Sequence, residues 1–274
     1  MTITLGAPPE ALWQRLATIQ RAVLMLDYDG TLAPFHEDPA RAVPYPGVEP
    51  LLQEIAALPH DRLILISGRA LDDLGNLVSL PRAVECWGSH GRERGLPDGS
   101  RESMPIPDTA AAALDTASNW RALIESAGGR FERKPTSIAF HWRALDHDER
   151  HRLRAQLTAD LAAIDPAGEL LFWHDFDGGM ELRVRGVDKG TAVSRILAET
   201  SGHHAGSALL AYLGDDLTDE DAFDALGDRG YSILVREQVR PTAARSWLRP
   251  PDELIRFLRQ WLDLRGRYAA QAGP

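Results

Sequence analysis

The sequence predicts an α/β protein: a Rossmann-like parallel-sheet core interrupted by a smaller, inserted α+β domain. Three observations carry this. Short apolar runs at Val23–Leu26, Arg62–Ile66 and Ala208–Leu213 each end in a polar turn rich in Asp, Ser or Gly. Such runs are the pattern of strands buried on both faces of a parallel sheet. Between the second and third runs the texture changes to helix, strand, strand, helix, strand, strand, which is the order of a separate α+β layer. The chain also has the material for both, with 274 residues of which 44% are hydrophobic.

Composition narrows the classes of partner. The formal net charge of -10 argues against nucleic acid, because a phosphate backbone requires a basic surface. No apolar run approaches the roughly 20 residues needed to span a bilayer. Met1 to Glu10 contains no basic segment followed by an apolar core, so no secretory signal is expected. The single cysteine, Cys86, excludes an internal disulfide and lacks the spaced partners of a zinc site; it reads as a small buried strand residue. A cytoplasmic monomer is the expectation.

Taken in order, Pro9 to Gln20 reads as a short amphipathic helix with Leu12, Leu16 and Ile19 on one face. Val23 to Leu26 then forms the first strand, which Gly30 breaks after Asp27-Tyr28-Asp29. Those residues form either an ordinary Asx-type turn or a loop presenting two acids to one ligand at the sheet edge where α/β proteins bind. Ala33 to Pro46 carries four prolines and is expected to run as an extended loop, and Gly47 to Leu58 as a helix. The strand Arg62–Ile66 ends in Ser67-Gly68-Arg69 before a helical stretch from Ala70 to Val78. Ser67 either caps that helix or, with free backbone N–H groups at the helix end, cradles a phosphate. Arg69 is either a forked phosphate contact or a solvated surface arginine. Ala83 to Trp87 reads as a third strand, followed by Gly88-Ser89-His90-Gly91, where two glycines allow His90 an unusual backbone, either near a ligand or as a structural histidine of the turn.

Gly95 to Pro107, rich in Gly, Pro and Ser, reads as the domain boundary. The core is expected over 1–104 and 186–274 and the insert over 105–185. Within the insert the expected elements are helices over Asp108–Ala127 and His147–Ile164, with strands over Gly129–Lys134, Ser137–Trp142, Leu170–His174 and Met180–Arg185. Val187-Asp188-Lys189-Gly190-Thr191 then opens a helix to Ala198, with Asp188 as its cap and Lys189 either exposed or turned into a site. After Ala208–Leu213 stands Gly214-Asp215-Asp216-Leu217-Thr218-Asp219-Glu220-Asp221, the densest acidic cluster of the chain, which is either a solvated acidic loop or part of a site at the end of a buried strand. Tyr231–Val235 is the last expected strand and Asp252–Leu264 the closing helix.

Placed on one sheet edge, Asp27, Asp29, Asp215, Asp216 and Asp219 converge. Five carboxylates at short range raise one another's pKa values and destabilise the site unless cations offset them. A hard divalent ion held by oxygen ligands is the physical solution, and Mg²⁺ suits a phosphate-handling site. Lys189 supplies the remaining positive charge.

The elements Asp27-Tyr28-Asp29-Gly30-Thr31, Ser67-Gly68-Arg69, Lys189 and Gly214-Asp215-Asp216 resemble, in order and setting, the four motifs of the haloacid dehalogenase superfamily. The longer strings Gly88-Ser89-His90-Gly91, Val187-Asp188-Lys189-Gly190 and Gly214 to Asp221 are similar to those of the trehalose-6-phosphate phosphatases, and the resemblance covers nearly the whole chain. It implies a phosphatase acting through an aspartyl-phosphate. Asp27 is then the nucleophile, Asp29 the general acid and base, and Ser67 and Lys189 hold the phosphoryl group. Asp27, Asp29 through its carbonyl, and Asp215 would ligate Mg²⁺, with Asp216 and Asp219 supporting. In the cap domain, Phe131-Glu132-Arg133-Lys134 and Gly179-Met180-Glu181-Leu182 resemble segments that bind glucosyl hydroxyls, which assigns Glu132, Lys134 and Glu181 to the sugar; Arg69 and His90 are the further substrate-binding candidates. His141 and Arg143 resemble a His-x-Arg of the family to which no role attaches.

One departure stands out. Members often carry Gly-Lys shortly before the second cap glutamate, and here Phe176-Asp177-Gly178-Gly179 stands instead. The expectations are therefore ordered: trehalose 6-phosphate as substrate, then another sugar phosphate of the glucosylglycerate or sucrose phosphate type, then a non-catalytic sensor of the same fold. Because sugar-reading and phosphate-reading residues fall in different domains, closure of the cap over the core is expected on binding.

Overall fold

The computed structural model describes residues 5–36, 38–81, 84–176, 178–202 and 208–272. Ala83 and Asp177, which belonged to two of the expectations above, lie outside them. The chain divides into two compact units, one running to Ser103 and resuming at Val187, the other Met104–Gly186.

In the first unit, α1 (Glu10–Leu16) leads into β1 (Arg21–Leu26), α2 (Val48–Ala56), β2 (Asp61–Ile66), α3 (Leu71–Leu77) and β3 (Glu85–Gly88). Two short strands follow, β4 (Glu93–Gly95) and β5 (Arg101–Ser103). The segment expected as linker, Gly95 to Pro107, thus holds an edge strand. Three-residue strands on a sheet edge have too short an apolar pattern to be read from sequence. Cys86 sits in β3 half-buried, as a free thiol that burial pushes up to about 12.

The second unit contains α4 (Asp108–Ala117), α5 (Arg121–Ser126), β6 (Arg130–Lys134), β7 (Ser137–His141), α6 (His147–Ile164), β8 (Leu171–Phe176) and β9 (Gly179–Val184). The single helix expected over Asp108–Ala127 is broken by a 3₁₀ turn, Ser118–Trp120. The break lets Trp120 enter the apolar core and stack on Trp173 at 6.1 Å. The sheet order is β6-β7-β9-β8, antiparallel throughout. Alternation sends Phe131, Ile138, Phe140, Met180 and Leu182 to the helices. Glu132, Ala139 and Glu181, paired across the sheet, fall on the opposite face.

The chain then returns to the first unit with α7 (Lys189–Gly202), β10 (Ala208–Gly214), α8 (Glu220–Leu226), β11 (Tyr231–Val235), β12 (Ser246–Leu248) and α9 (Asp252–Ala272). Among the described residues the core sheet has eight strands in the order β12-β11-β10-β1-β2-β3-β4-β5, parallel from β12 to β3. One face packs on α1, α2 and α9, the other on α7 and α8. The closing helix runs about two turns beyond the expected Leu264, and Arg265, 1% exposed, is anchored there. Its guanidinium pairs with Asp61 at 2.7 Å and donates to the carbonyls of Leu16, Ile19 and Gln20. No helix of the described residues is long and apolar enough to cross a membrane.

The central pair, β1 and β10, aligns Leu26 with Leu213, so both strands end at the same level. Asp27 and Asp215 therefore leave the sheet side by side, with Ser67 one strand over at the end of β2.

Candidate active site

Asp27 is 3% exposed, and its N–H donates to the Leu213 carbonyl at 2.9 Å, fixing it to the end of β10. Its Oδ1 accepts from Lys189 Nζ at 2.5 Å and its Oδ2 from the Thr31 hydroxyl at 3.2 Å. Lys189 is buried at the first turn of α7, so of its two readings the exposed one is excluded. Asp188 caps that helix as expected, accepting from the Thr191 N–H at 2.7 Å. Burial opposes the charge on Lys189, but Asp219 and Asp27 outweigh it and raise its pKa.

Asp219 is wholly buried, and its carboxylate is saturated. Oδ1 accepts from Lys189 Nζ at 2.7 Å and from the Tyr212 hydroxyl at 2.6 Å. Oδ2 accepts from the N–H groups of Asp215 and Asp216, both at 2.9 Å. Asp216 and Asp219 form a reciprocal capping box around the turn Leu217–Asp219. Tyr212 is held in its neutral form by burial and by Asp219.

Asp215 differs. It is 2% exposed, its carboxylate lies against Gly30, and its Oδ1 has no hydrogen-bond partner among the described residues. Arg236 Nη1 stands 4.0 Å from its Oδ2. Burial, then the charges of Asp27 and Asp219, push the Asp215 pKa well above the carboxylate range. The same causes, burial first and Asp219 second, push Asp27 up to about 7.

Oxygens of Asp27, Asp215 and Asp219 lie within 4.8 Å of one another, close enough to share an ion. The lone pairs of Asp219 are already committed, so its place is organising the loop rather than ligating. Asp27 and Asp215 remain: two buried hard oxygen donors, one with an orphaned atom, and a local excess of negative charge. That donor set fits a divalent cation.

Asp29 and Arg69 meet in a fork. Arg69 Nε donates to Oδ2 at 2.7 Å and Nη2 to Oδ1 at 2.6 Å, and Nη1 donates to the Pro39 carbonyl at 2.9 Å. Arg69 is therefore neither solvated nor an uncommitted phosphate contact, the two alternatives its sequence position left open. Ser67, 1% exposed, does not cap α3, whose N-cap is Ala70. Its Oγ instead accepts the Arg69 N–H at 3.1 Å, and the Leu71 N–H at the helix start is taken by Glu93. The helix end expected as a phosphate cradle is thus partly occupied by protein groups, and the Ser67 hydroxyl proton is one donor that this turn can offer. His90 adopts a left-handed backbone at φ 57, donates its N–H to the Ser67 carbonyl at 3.0 Å and lays its ring against Gly68. It braces the Ser67 turn.

In the second unit, Lys134 Nζ lies 3.1 Å from Glu181 Oε1, which also accepts from Ser137 Oγ at 2.6 Å. Glu132 Oε2 accepts from His141 Nε2 at 2.8 Å. That bond, aided by Lys134 against the cost of burial, lowers the Glu132 pKa to about 2. One sheet face thus brings together Glu132, Lys134 and Glu181, and gives His141 a partner. Sequence reading missed Ser137, Tyr212 and Arg236. Thr31 stood in the quoted motif without a role; its i, i+4 spacing from Asp27 is the signal that finds it.

The geometry has counterparts in known proteins. A model of the trehalose-phosphatase family matches residues 25–251. A trehalose-phosphate phosphatase of Mycobacterium ulcerans is 31% identical, over 93% of this chain and 63% of that protein. Trehalose 6-phosphate phosphatase RA3 of Zea mays is 30% identical, over 90% of this chain and 71% of its own length. The chain thus spans about 63% of the mycobacterial relative. Among solved structures, the C-terminal domain of the Candida albicans trehalose-6-phosphate phosphatase superposes with a TM-score of 0.77 at 23% identity, covering 98% of this chain and 99% of that one. A haloacid dehalogenase-like hydrolase of Bacillus subtilis superposes at 0.59 with 12% identity, covering 86% and 98%. With the match running through all four acidic and basic motifs, this chain belongs to the trehalose-phosphatase family, on the haloacid dehalogenase fold.

Proposed function

We propose that the protein is a Mg²⁺-dependent phosphatase that hydrolyses trehalose 6-phosphate to trehalose and phosphate. The observation that carries this is the buried Asp27, gripped by Lys189 and Thr31 beside the orphaned Asp215 oxygen, in a member of the trehalose-phosphatase family. An isolated nucleophile is weak; one held between an ammonium group and a metal position is oriented for attack. The expected compartment and state are those of a cytoplasmic monomer.

The reaction runs in two halves. Asp27 forms a bond to phosphorus as the bond to the sugar oxygen breaks, and Asp29 gives that oxygen its proton. Water then attacks the aspartyl-phosphate, Asp29 takes the proton, the bond to Asp27 breaks and phosphate leaves. Lys189, kept charged by Asp219, neutralises the phosphoryl oxygens in both halves. Asp27, Asp215 and the Asp29 carbonyl would hold a divalent ion, which would supply further charge neutralisation. Ser67 donates to the transferring group, and Asp216 and Asp219 keep Asp215 in place. Glu132, Lys134 and Glu181 bind sugar hydroxyls, as a face of carboxylate acceptors and an ammonium donor suits.

A second reading keeps the chemistry and changes the sugar. A side chain at Gly179 would collide with the Phe140 carbonyl and the Phe176 ring, so this position does not accommodate the lysine that the resemblance leads one to expect in the segment. This favours a substrate other than trehalose 6-phosphate. Phosphate release from a panel of sugar phosphates separates the two. The leading reading expects trehalose 6-phosphate to have the highest kcat/KM; a preference of tenfold or more for another ester removes it.

A further inference from the structure

Arg69 is buried to 15% side-chain exposure and spends its three guanidinium nitrogens on two fixed partners, the Asp29 carboxylate and the Pro39 carbonyl. Its plane also lies over the Tyr28 ring at 5.7 Å. The Arg69 N–H is tied to Ser67 Oγ and its carbonyl accepts the Ser89 N–H at 2.7 Å, so the backbone that carries the guanidinium is fixed as well. A planar fork on a rigid base fixes a carboxylate in rotation as well as position, which a lysine cannot do. Each carboxylate oxygen has two acceptor positions, and the fork fills one on each, leaving the others open.

We propose that Arg69 is a positioning residue that holds the Asp29 carboxylate oriented to take the proton of the attacking water. This deepens, and rests on, the phosphatase reading. In the first half-reaction Asp29 must give a proton, and two N–H donors, one on each oxygen, complement a carboxylate that accepts and do not assist one that donates. In the second, the water oxygen bonds to phosphorus, its proton passes to an open Asp29 oxygen, and the bond between phosphorus and Asp27 breaks. An oriented carboxylate with an open acceptor position is what that step uses. Arg69 thereby serves the release of phosphate from the enzyme, and not the capture of substrate.

The test uses p-nitrophenyl phosphate with Mg²⁺, because nitrophenolate leaves without a proton donor and phosphoryl transfer then depends little on Asp29. Arg69→Gln and Arg69→Lys are compared with the parent by rapid mixing and in the steady state, after thermal melting shows both variants folded. The expected result is a burst of about one nitrophenolate per chain followed by turnover slowed about 10²-fold, within the range for a lost general base. Slowing only the second half lowers kcat and KM together and leaves kcat/KM unchanged. Arg69→Lys is expected between the two, and added guanidinium ion restores turnover in Arg69→Gln. A fall in kcat/KM without a burst, or turnover equal to the parent, overturns the assignment and leaves the phosphatase reading standing. A parent that releases no nitrophenolate or phosphate from any ester overturns both.

Discussion

Four hydrogen bonds meet on the Asp219 carboxylate, two on each oxygen, so an amide there keeps two and sets its NH2 against the other two donors. Asp219→Asn is therefore expected to cost about 1–3 kcal/mol of stability, read by urea unfolding, because a buried group is left unpaired. It is also expected to lower activity at least tenfold, because Asp215 loses its support. Lys189→Met goes further: it strips the one ammonium from Asp27 and Asp219, and about 3–5 kcal/mol is the usual cost of breaking a buried charge cluster from one side. Titration behaviour supplies a third prediction. The Asp27 pKa, raised from 3.8 to about 7, means that the metal-free fold retains a proton which the unfolded chain releases earlier. The contribution of this group to stability thus declines as pH rises from about 4 to about 7. A divalent ion binds the ionised form and reverses the loss. The upward shift of Tm caused by Mg²⁺ is expected to be larger at pH 8 than at pH 5.5; an equal shift at both contradicts the placing of Asp27 in the metal site.

At the scale of elements, the turn after β1 places Asp215. Gly30 has φ 83, and a Cβ there would be driven into the Asp215 carboxylate. Gly30→Ala is expected to destabilise by about 1–3 kcal/mol and to weaken Mg²⁺ binding, read by calorimetry, because the backbone is strained and a ligand is displaced. The long apolar strands β1, β2, β10 and β11 were legible because burial on both faces writes a continuous signal. The edge strands β4, β5 and β12 were not, since three residues carry no period. The site followed the same division. Asp27, Lys189 and Asp215 were legible because each sits at an element end where a polar residue has no packing reason to be. The partner of Arg69 was not, because a guanidinium fork suits a phosphate and a carboxylate equally and only the fold brings Asp29 to it. Likewise Ser67 ties a turn and not a helix, a difference set by where α3 begins.

For the molecule as a whole, Asp27 and Lys189 stand 162 residues apart in sequence, with the entire second unit between them. The proposed function assigns the sugar to the second unit and the phosphate chemistry to the first, and so requires both to act on one ligand. Small-angle scattering is expected to show a smaller radius of gyration when a non-hydrolysed sugar phosphate analogue and Mg²⁺ are bound; an unchanged curve at saturation contradicts closure. The most direct test of the central claim is acid-quench trapping of the phosphoenzyme formed from ³²P-labelled trehalose 6-phosphate with Mg²⁺. The account predicts label on the peptide bearing Asp27, absent in Asp27→Asn together with at least a thousandfold loss of turnover. Label elsewhere, or an Asp27→Asn variant that releases phosphate at the parent rate, contradicts it.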